Sequence, residues 1–229
     1  MNVDDRLLAR RVLDDAFWLT DSPAAMRDQL VAEGRLIRLN TGEWAQAEGD
    51  DRGGLFIVVK GALHTYCAAT GDRVVMIGIV GPGAVLGHAT PYSGGPRLVT
   101  AVCVEPSVLL EISVAALDRI AVPFPQIWRA IAGFAYAHTR GALRMAADVI
   151  SLRPRQRIAA RLLAMGEGEP ARHTGLLHIN QELLGEMIGL TRKTVNQHLS
   201  AFERAGLIQI GYGKITIRDA AGLQVIAEV

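Results

Sequence analysis

INQELLGEMIGLTRKTVNQHLSAFERAGLIQIGYGKITIR, residues 179–218, holds two short amphipathic helices, a tight turn and a hairpin with almost no spare residues. Asn180 caps a first helix running from Gln181 through Leu183 and Leu184 to Ile188, and Gly185 is small enough to let a second helix cross closely. Gly189 supplies a permissive turn. Thr191 offers its hydroxyl to the free amides of the next helix, which carries Val195, Leu199 and Phe202 inward and Arg192, Lys193, Asn196 and Gln197 outward. This pattern predicts a helix-turn-helix with a recognition helix. An ordinary helical hairpin is the alternative. The spacing Gly185, Gly189, Val195, the Thr191 cap and the hairpin from Leu207 to Ile217 together favour DNA binding.

Composition bounds the rest. The 229 residues suffice for one large domain or two modest ones, and half of them are hydrophobic, enough for a proper core. The net charge of +1 argues against a binder held by bulk charge. From Ser151 onward there are ten Lys and Arg against seven Asp and Glu, so local placement must steer any nucleic acid. The two cysteines, Cys67 and Cys103, match no metal-ligand spacing and no disulfide framework. The N-terminus MNVDDRLLARRVLDD is charged rather than apolar, and no apolar run approaches a membrane span, so a cytoplasmic, membrane-free protein is expected.

Upstream, residues 3–33 read as short helices, with Leu7, Leu8 and Val12 at helical spacing and Ser22-Pro23 opening a second helix. From Leu36 to Ser113 the texture changes to short apolar runs punctuated by glycine, which predicts an antiparallel β-roll, barrel or sandwich. A long helix is expected from Gln126 to about Ser151. Along it Trp128, Ile131, Ala135, His138, Ala142, Met145 and Val149 recur at alternating steps of three and four, a heptad seam that suits a parallel homodimer with His138 facing its mate. A helix packed on its own β domain is the other reading. Pro154 breaks the helix and is the candidate hinge. RQRIAARLLAM gives one more helix, GEGEPARHTG is a polar loop, and LIQI, Gly211-Tyr212-Gly213 and KITI make a wing. The expected class is α+β, divided as 1–122 effector domain with N-terminal helices, 123–152 dimerisation helix and 153–229 winged helix-turn-helix.

In that order, TGEW, EGD and LFIVVKGAL, then GPGAVLG, Pro96-Arg97, RQRIAARLL, GEMIGLTRKTV and RAGLI, the chain resembles a CRP/FNR-family transcription regulator over nearly its whole length. The resemblance implies a cyclic-nucleotide-binding-like roll and a dimer that reads two half-sites about one helical turn apart on double-stranded DNA. Arg192 falls where the family's guanine-reading arginine stands. Lys193 stands where many relatives have Glu and Gln197 where many have Arg, so the half-site should differ from the familiar one. Gln181, Thr191, Thr194, Tyr212 and Lys214 are implied phosphate contacts, and His198 is either a partly buried histidine or a further phosphate contact. RNA polymerase is an implied partner if the protein activates.

The effector pocket departs from the family pattern. Gly87 is followed by His88 where cyclic-nucleotide binders have Glu, Arg97 by Leu98 where they have a small residue, and Ala142 and Leu143 stand about where a Thr-Ser pair contacts adenine. Leu98 is expected to bring bulk and no polar atom to the phosphate. The expectation is therefore an effector other than cyclic AMP, or a vestigial pocket in an effector-independent binder. Two cysteines cannot hold an iron-sulfur cluster. Haem on His64, Cys67 or His88 is left open, as is a ligand sensor acting on a partner protein. No paired nucleophile and base, metal cluster or phosphate-cradling loop suggests an enzyme.

Overall fold

The computed structural model describes residues 3–51, 53–90, 94–167 and 174–228. Helices α1 (Val3–Asp15) and α2 (Ala24–Glu33), joined through a 3-10 turn at Phe17–Leu19, precede eight strands. These are β1 (Arg35–Leu39), β2 (Trp44–Gln46), β3 (Leu55–Lys60), β4 (Leu63–Ala69), β5 (Arg73–Val80), β6 (Val85–Leu86), β7 (Thr100–Cys103) and β8 (Ser107–Ile112). They form two four-stranded antiparallel sheets, ordered β1-β8-β3-β6 and β2-β7-β4-β5.

The first sheet is covered on both faces, which explains why its strands are apolar at almost every position rather than at every second one. Leu55, Ile57 and Val59 of β3, with Val108, Leu110 and Ile112 of β8, share a core with the N-terminal helices. Val58 and Leu109 point the other way, onto Leu63, Ala101 and Cys103 of the second sheet. Helix α3 (Val114–Ala121) follows, its Ala116 amide donating to the Ser113 hydroxyl at 3.2 Å.

Helix α4 (Ile127–Ser151) is the long element, and the residues of the seam expected from sequence divide along it: Ile131 is buried, Trp128, Ala135, Met145 and Val149 are half-buried, and His138 and Ala142 are exposed. Ile127, Ile131 and Phe134 are buried in the chain's own roll core, Ile131 with 1% of its surface exposed, and Trp128 packs at the edge of that core. Met145 packs at the edge of the C-terminal core. His138 turns toward its own roll, where its ring lies 5.2 Å from His88. Ile131 therefore lies inside its own chain rather than on a seam between chains. One residue on, the line Ala132, Tyr136, Thr139, Leu143, Ala146 and Ile150 is exposed throughout, Tyr136, Leu143 and Ile150 by 71, 67 and 85%. Two stripes offset by one residue run along an alanine-rich helix, and only packing distinguishes them.

Leu152 leaves the helix in an extended conformation, and Arg153, the residue before Pro154, is extended as well, as a pre-proline residue prefers because the proline ring would clash with an α-region backbone there. Pro154 then occupies the first turn of α5 (Pro154–Gly166), where its missing N–H costs nothing. Beyond it come β9 (Leu176–Leu177), α6 (Gln181–Ile188), α7 (Arg192–Arg204), β10 (Ile208–Gly211), β11 (Lys214–Ile217) and α8 (Ala220–Glu228), with strands ordered β10-β11-β9. Residues 168–173 of the polar loop lie outside the described residues.

The two halves of the chain touch. Met76 of β5 is fully buried in the C-terminal core beside Met187, Leu184 and Ile158, with Tyr66 and Ile79 at its edge. Arg161 Nη2 on α5 donates to the Ile77 carbonyl at 2.9 Å, and His64 Nε2 on β4 donates to the His178 carbonyl at 3.0 Å. Burial pushes the Arg161 guanidinium down to about 10, with the Asp148 charge opposing that shift, so the contact is a desolvated one. No helix among the described residues is long and apolar enough to cross a membrane.

Candidate nucleic-acid interface and sensor pocket

At the C-terminal end, Asn180 Oδ1 accepts from the amides of Glu182 and Leu183 at 3.0 and 2.9 Å and so starts α6. The helix stops at Gly189, left-handed with φ +68°, and the Leu190 amide returns to the Gly185 carbonyl at 2.9 Å. The Thr194 amide donates to Thr191 Oγ1 at 3.2 Å, so α7 begins within three residues of the previous helix. Val195, Leu199 and Phe202 are buried, which fixes the opposite face outward: Arg192, Lys193, Asn196 and Gln197 are all exposed. Thr191 is exposed and Thr194 half-buried, their hydroxyls 2.9 Å apart, and Gln181 is half-buried at the start of α6. His198 is half-buried.

The wing follows directly. β10 and β11 pair from Ile208 with Ile217 to Gly211 with Lys214, leaving Tyr212 fully exposed at the tip and Lys214 exposed beside it. Glu203 Oε1 accepts from the Ile210 amide at 2.7 Å and ties the wing to α7. The structure thus leaves Arg192, Lys193, Asn196 and Gln197 exposed on one helix face and Tyr212 and Lys214 exposed at one hairpin tip, with Gln181 on the preceding helix. It adds a residue that periodicity did not single out. Arg157 Nη1 donates to the Ile188 carbonyl at 3.0 Å and Nη2 to the Leu152 carbonyl at 2.9 Å, so one guanidinium caps the last turns of both α6 and α4. Arg157 and Arg161 lie four apart in RQRIAARLL, and a repeated arginine on the semi-apolar side of an amphipathic helix was the available signal.

In the roll, the pocket residues divide. Arg97 has 3% of its surface exposed; its Nη1 donates to the Gly54 carbonyl at 3.0 Å and its guanidinium carbon lies 5.3 Å from the centre of the Phe56 ring. Burial lowers its pKa, partly offset by the Asp50 and Glu111 charges. Gly87, with φ +75°, lies under that guanidinium: a Cβ there would come within 1.3 Å of Nη1. Leu98 is 65% exposed, which corrects the expectation that its bulk fills the phosphate position; in an extended segment neighbouring side chains alternate, and Arg97 takes the inside. Ala142 and Leu143 are exposed on α4, and Leu143 belongs to the open face with Tyr136 and Ile150.

His88 packs against Phe134 at 5.1 Å and His138 at 5.2 Å between ring centres, and Phe134 and His138 are stacked at 5.6 Å. Burial pushes the His88 imidazole down to about 4, aided by the His138 charge and opposed by the Val85 carbonyl. The unfolded chain therefore binds a proton that the folded chain refuses between the ordinary value of 6.5 and about 4, so stability falls as pH drops through that window. Thermal unfolding between pH 7 and 5 should show a steeper loss in the wild type than in His88→Asn; parallel curves would contradict this assignment. Among the described residues no group of three or more His, Cys, Asp or Glu is placed to hold a metal ion, and burial raises the pKa of both Cys67 and Cys103.

Comparison with known proteins agrees with this geometry. Residues 36–122 match the model of the cyclic nucleotide-binding domain and residues 156–226 that of the Crp-like helix-turn-helix domain. The transcriptional regulatory protein btr of Bordetella pertussis is 26% identical over 86% of this chain and 82% of its own length. The cyclic AMP receptor protein of Thermus thermophilus is 27% identical over 79% and 82%. Among solved structures, FixK2 from Bradyrhizobium japonicum superposes with a TM-score of 0.70 at 20% identity, covering 84% of this chain and 96% of that one. The c-di-GMP responsive regulator CLP of Xanthomonas campestris gives 0.68 at 21%, covering 85% and 99%. The structural likenesses speak for the fold alone.

Proposed function

The chain belongs to the CRP/FNR family of DNA-binding transcription regulators, and from that premise we propose that it acts as a cytoplasmic homodimer whose roll senses an effector other than cyclic AMP. The observation that carries the DNA reading is the division of α7: Val195, Leu199 and Phe202 are buried while Arg192, Lys193, Asn196 and Gln197 stand exposed above Thr191. Arg192 reads a guanine through O6 and N7, with Lys193, Asn196 and Gln197 beside it. Gln181, Thr191, Thr194, Tyr212 and Lys214 hold phosphates and set register. The DNA is double-stranded, and RNA polymerase is a further partner where the bound site leads to activation.

The dimer forms through the open line Ala132, Tyr136, Thr139, Leu143, Ala146 and Ile150, whose steps of four and three are those of a two-helix seam. Arg157 joins the end of that helix to the end of α6, so the orientation of the seam reaches the reading heads through a short, hydrogen-bonded path. At the pocket, His88 offers an imidazole where a cyclic-nucleotide binder offers a carboxylate, and Arg97 is already engaged by Gly54 and Phe56. That self-contained arginine favours effector independence as the second reading. A thermal-shift screen separates the two: a shift of several degrees with a compound other than cyclic AMP favours the sensing reading, and one with cyclic AMP stands against both.

Selection of bound sites from randomised DNA tests the main reading. It should return a two-fold symmetric site, and Arg192→Ala should relax one base pair in each half at a cost of roughly 1–3 kcal/mol per half-site. An unchanged profile for the variant would remove Arg192 from base readout.

A further inference from the structure

The pairing of His88 with His138 takes no part in the DNA reading. The two rings come from different parts of the chain, the segment after β6 and the middle of α4, and their centres lie 5.2 Å apart at 67°. His88 Nδ1 is buried and makes no hydrogen bond of ordinary geometry among the described residues, although the Val85 carbonyl favours the ring's protonated form. A buried ring nitrogen without such a bond is costly, and here it is held against Phe134 and a second imidazole. Two imidazoles bound to one tetrahedral ion at a Zn–N distance of about 2.0–2.1 Å have ring centres about 5.2 Å apart, so the observed separation, which is also that of ordinary aromatic contact, leaves room for a shared ion. Among the described residues no acidic or thiol group completes the set, which leaves the other coordination positions to water or a small anion.

We propose that His88 and His138 form an open two-histidine site for a borderline divalent transition ion, Zn²⁺ foremost, within the sensor half of the chain. Imidazole nitrogen selects such ions over Mg²⁺ and Ca²⁺, which take oxygen ligands. Both rings are held toward the neutral form that a metal requires: burial lowers each, and His138 further lowers His88. Phe134 supplies an apolar wall on one side, and the part of His138 that remains exposed supplies the entry path. A bound ion would fasten α4 to the roll, one residue from the open line that begins at Ala132 and passes through Thr139. This deepens the sensor reading by naming a ligand class for the pocket.

The test is calorimetric titration of the full-length, untagged protein with Zn²⁺ and with Mg²⁺, alongside visible absorption of the Co²⁺-loaded form. Zn²⁺ should bind at one ion per chain with micromolar affinity, Mg²⁺ should not bind, and Co²⁺ should give the intense bands of a tetrahedral site. His88→Ala and His138→Ala should each weaken uptake at least about tenfold, the lower end of what even outer-shell losses cost. His138→Cys should restore it and add a sulfur-to-cobalt charge-transfer band, which a merely structural histidine would not produce. Absence of uptake, or uptake unchanged in both alanine variants, overturns the site. Because uptake is read without DNA, its failure leaves the DNA reading standing, and a failure of Arg192→Ala leaves the metal site untouched.

Discussion

Replacing Leu143 by Glu is expected to turn the protein from dimer to monomer and to weaken binding to a full two-fold DNA site by roughly 100-fold or more, the loss that accompanies a broken bivalent contact. Leu143 is 67% exposed in the single chain and sits between Tyr136 and Ile150 at seven-residue spacing. In a two-helix seam that position faces its own counterpart, so the substitution removes apolar burial twice and sets two carboxylates against each other out of water. Each chain alone should remain folded, because Leu143 has little burial to lose within it. Sedimentation velocity and binding to a full site against a half-site read the two effects separately. Arg144→Gln, one residue along with a largely exposed side chain, is the control that should stay dimeric. A dimer that survives Leu143→Glu with unchanged dissociation would move the interface elsewhere.

Gly185→Val should cost about 3 kcal/mol and abolish DNA binding at concentrations where the wild type is saturated. A Cβ at this position would lie 2.5 Å from the Leu190 carbonyl oxygen and 3.5 Å from Val195 Cγ2. The first of these is backbone, held by the turn that places α7 across α6, and the Leu190 amide is itself bonded to the Gly185 carbonyl. Relief requires opening the turn, which rotates Arg192 and Lys193 away from a common face. For a chain of this size the loss corresponds to a fall in Tm of about 6–12 °C. Gly141→Ala provides the contrast: nothing lies within 4 Å of a Cβ there, so a small gain in helix stability is expected instead. A Gly185→Val variant with wild-type Tm and affinity would refute the close crossing of α6 and α7.

The crossing of α6 and α7 also marks what could be read from sequence. Gly185, Gly189, Thr191 and Val195 are local signals, each acting on neighbours a few residues away, and they placed both helices and their outward faces correctly. The roll was legible in outline, as glycine-bounded apolar runs, but not in layering: LFIVV announces a strand buried on two faces without saying that helices cover one of them. The seam on α4 shows the limit more sharply. A 25-residue helix rich in alanine carries two stripes one residue apart; burial of Ile127, Ile131 and Phe134 takes Ile131 out of the expected stripe, while the line through Tyr136, Leu143 and Ile150 stays exposed along its whole length. In the pocket, the departures in residue type were legible and the directions of the side chains were not. Whether Arg97 or Leu98 points inward depends on the strand phase of a segment with no periodic pattern, and the meeting of His88 with His138 joins positions fifty residues apart.

The burial of Met76 has a consequence for how the chain can be divided. The two family models match separate stretches, which invites treating roll and reader as interchangeable modules. Yet a roll residue completes the reader's interior, with Tyr66 and Ile79 at its edge, and Arg161 and His64 bridge the same boundary. A chimera cut at Pro154 would strand a methionine-lined hollow on one piece and an uncovered apolar hairpin on the other. Grafting this reader onto a foreign sensor therefore calls for carrying β4 and β5 along with it, or for repainting both surfaces.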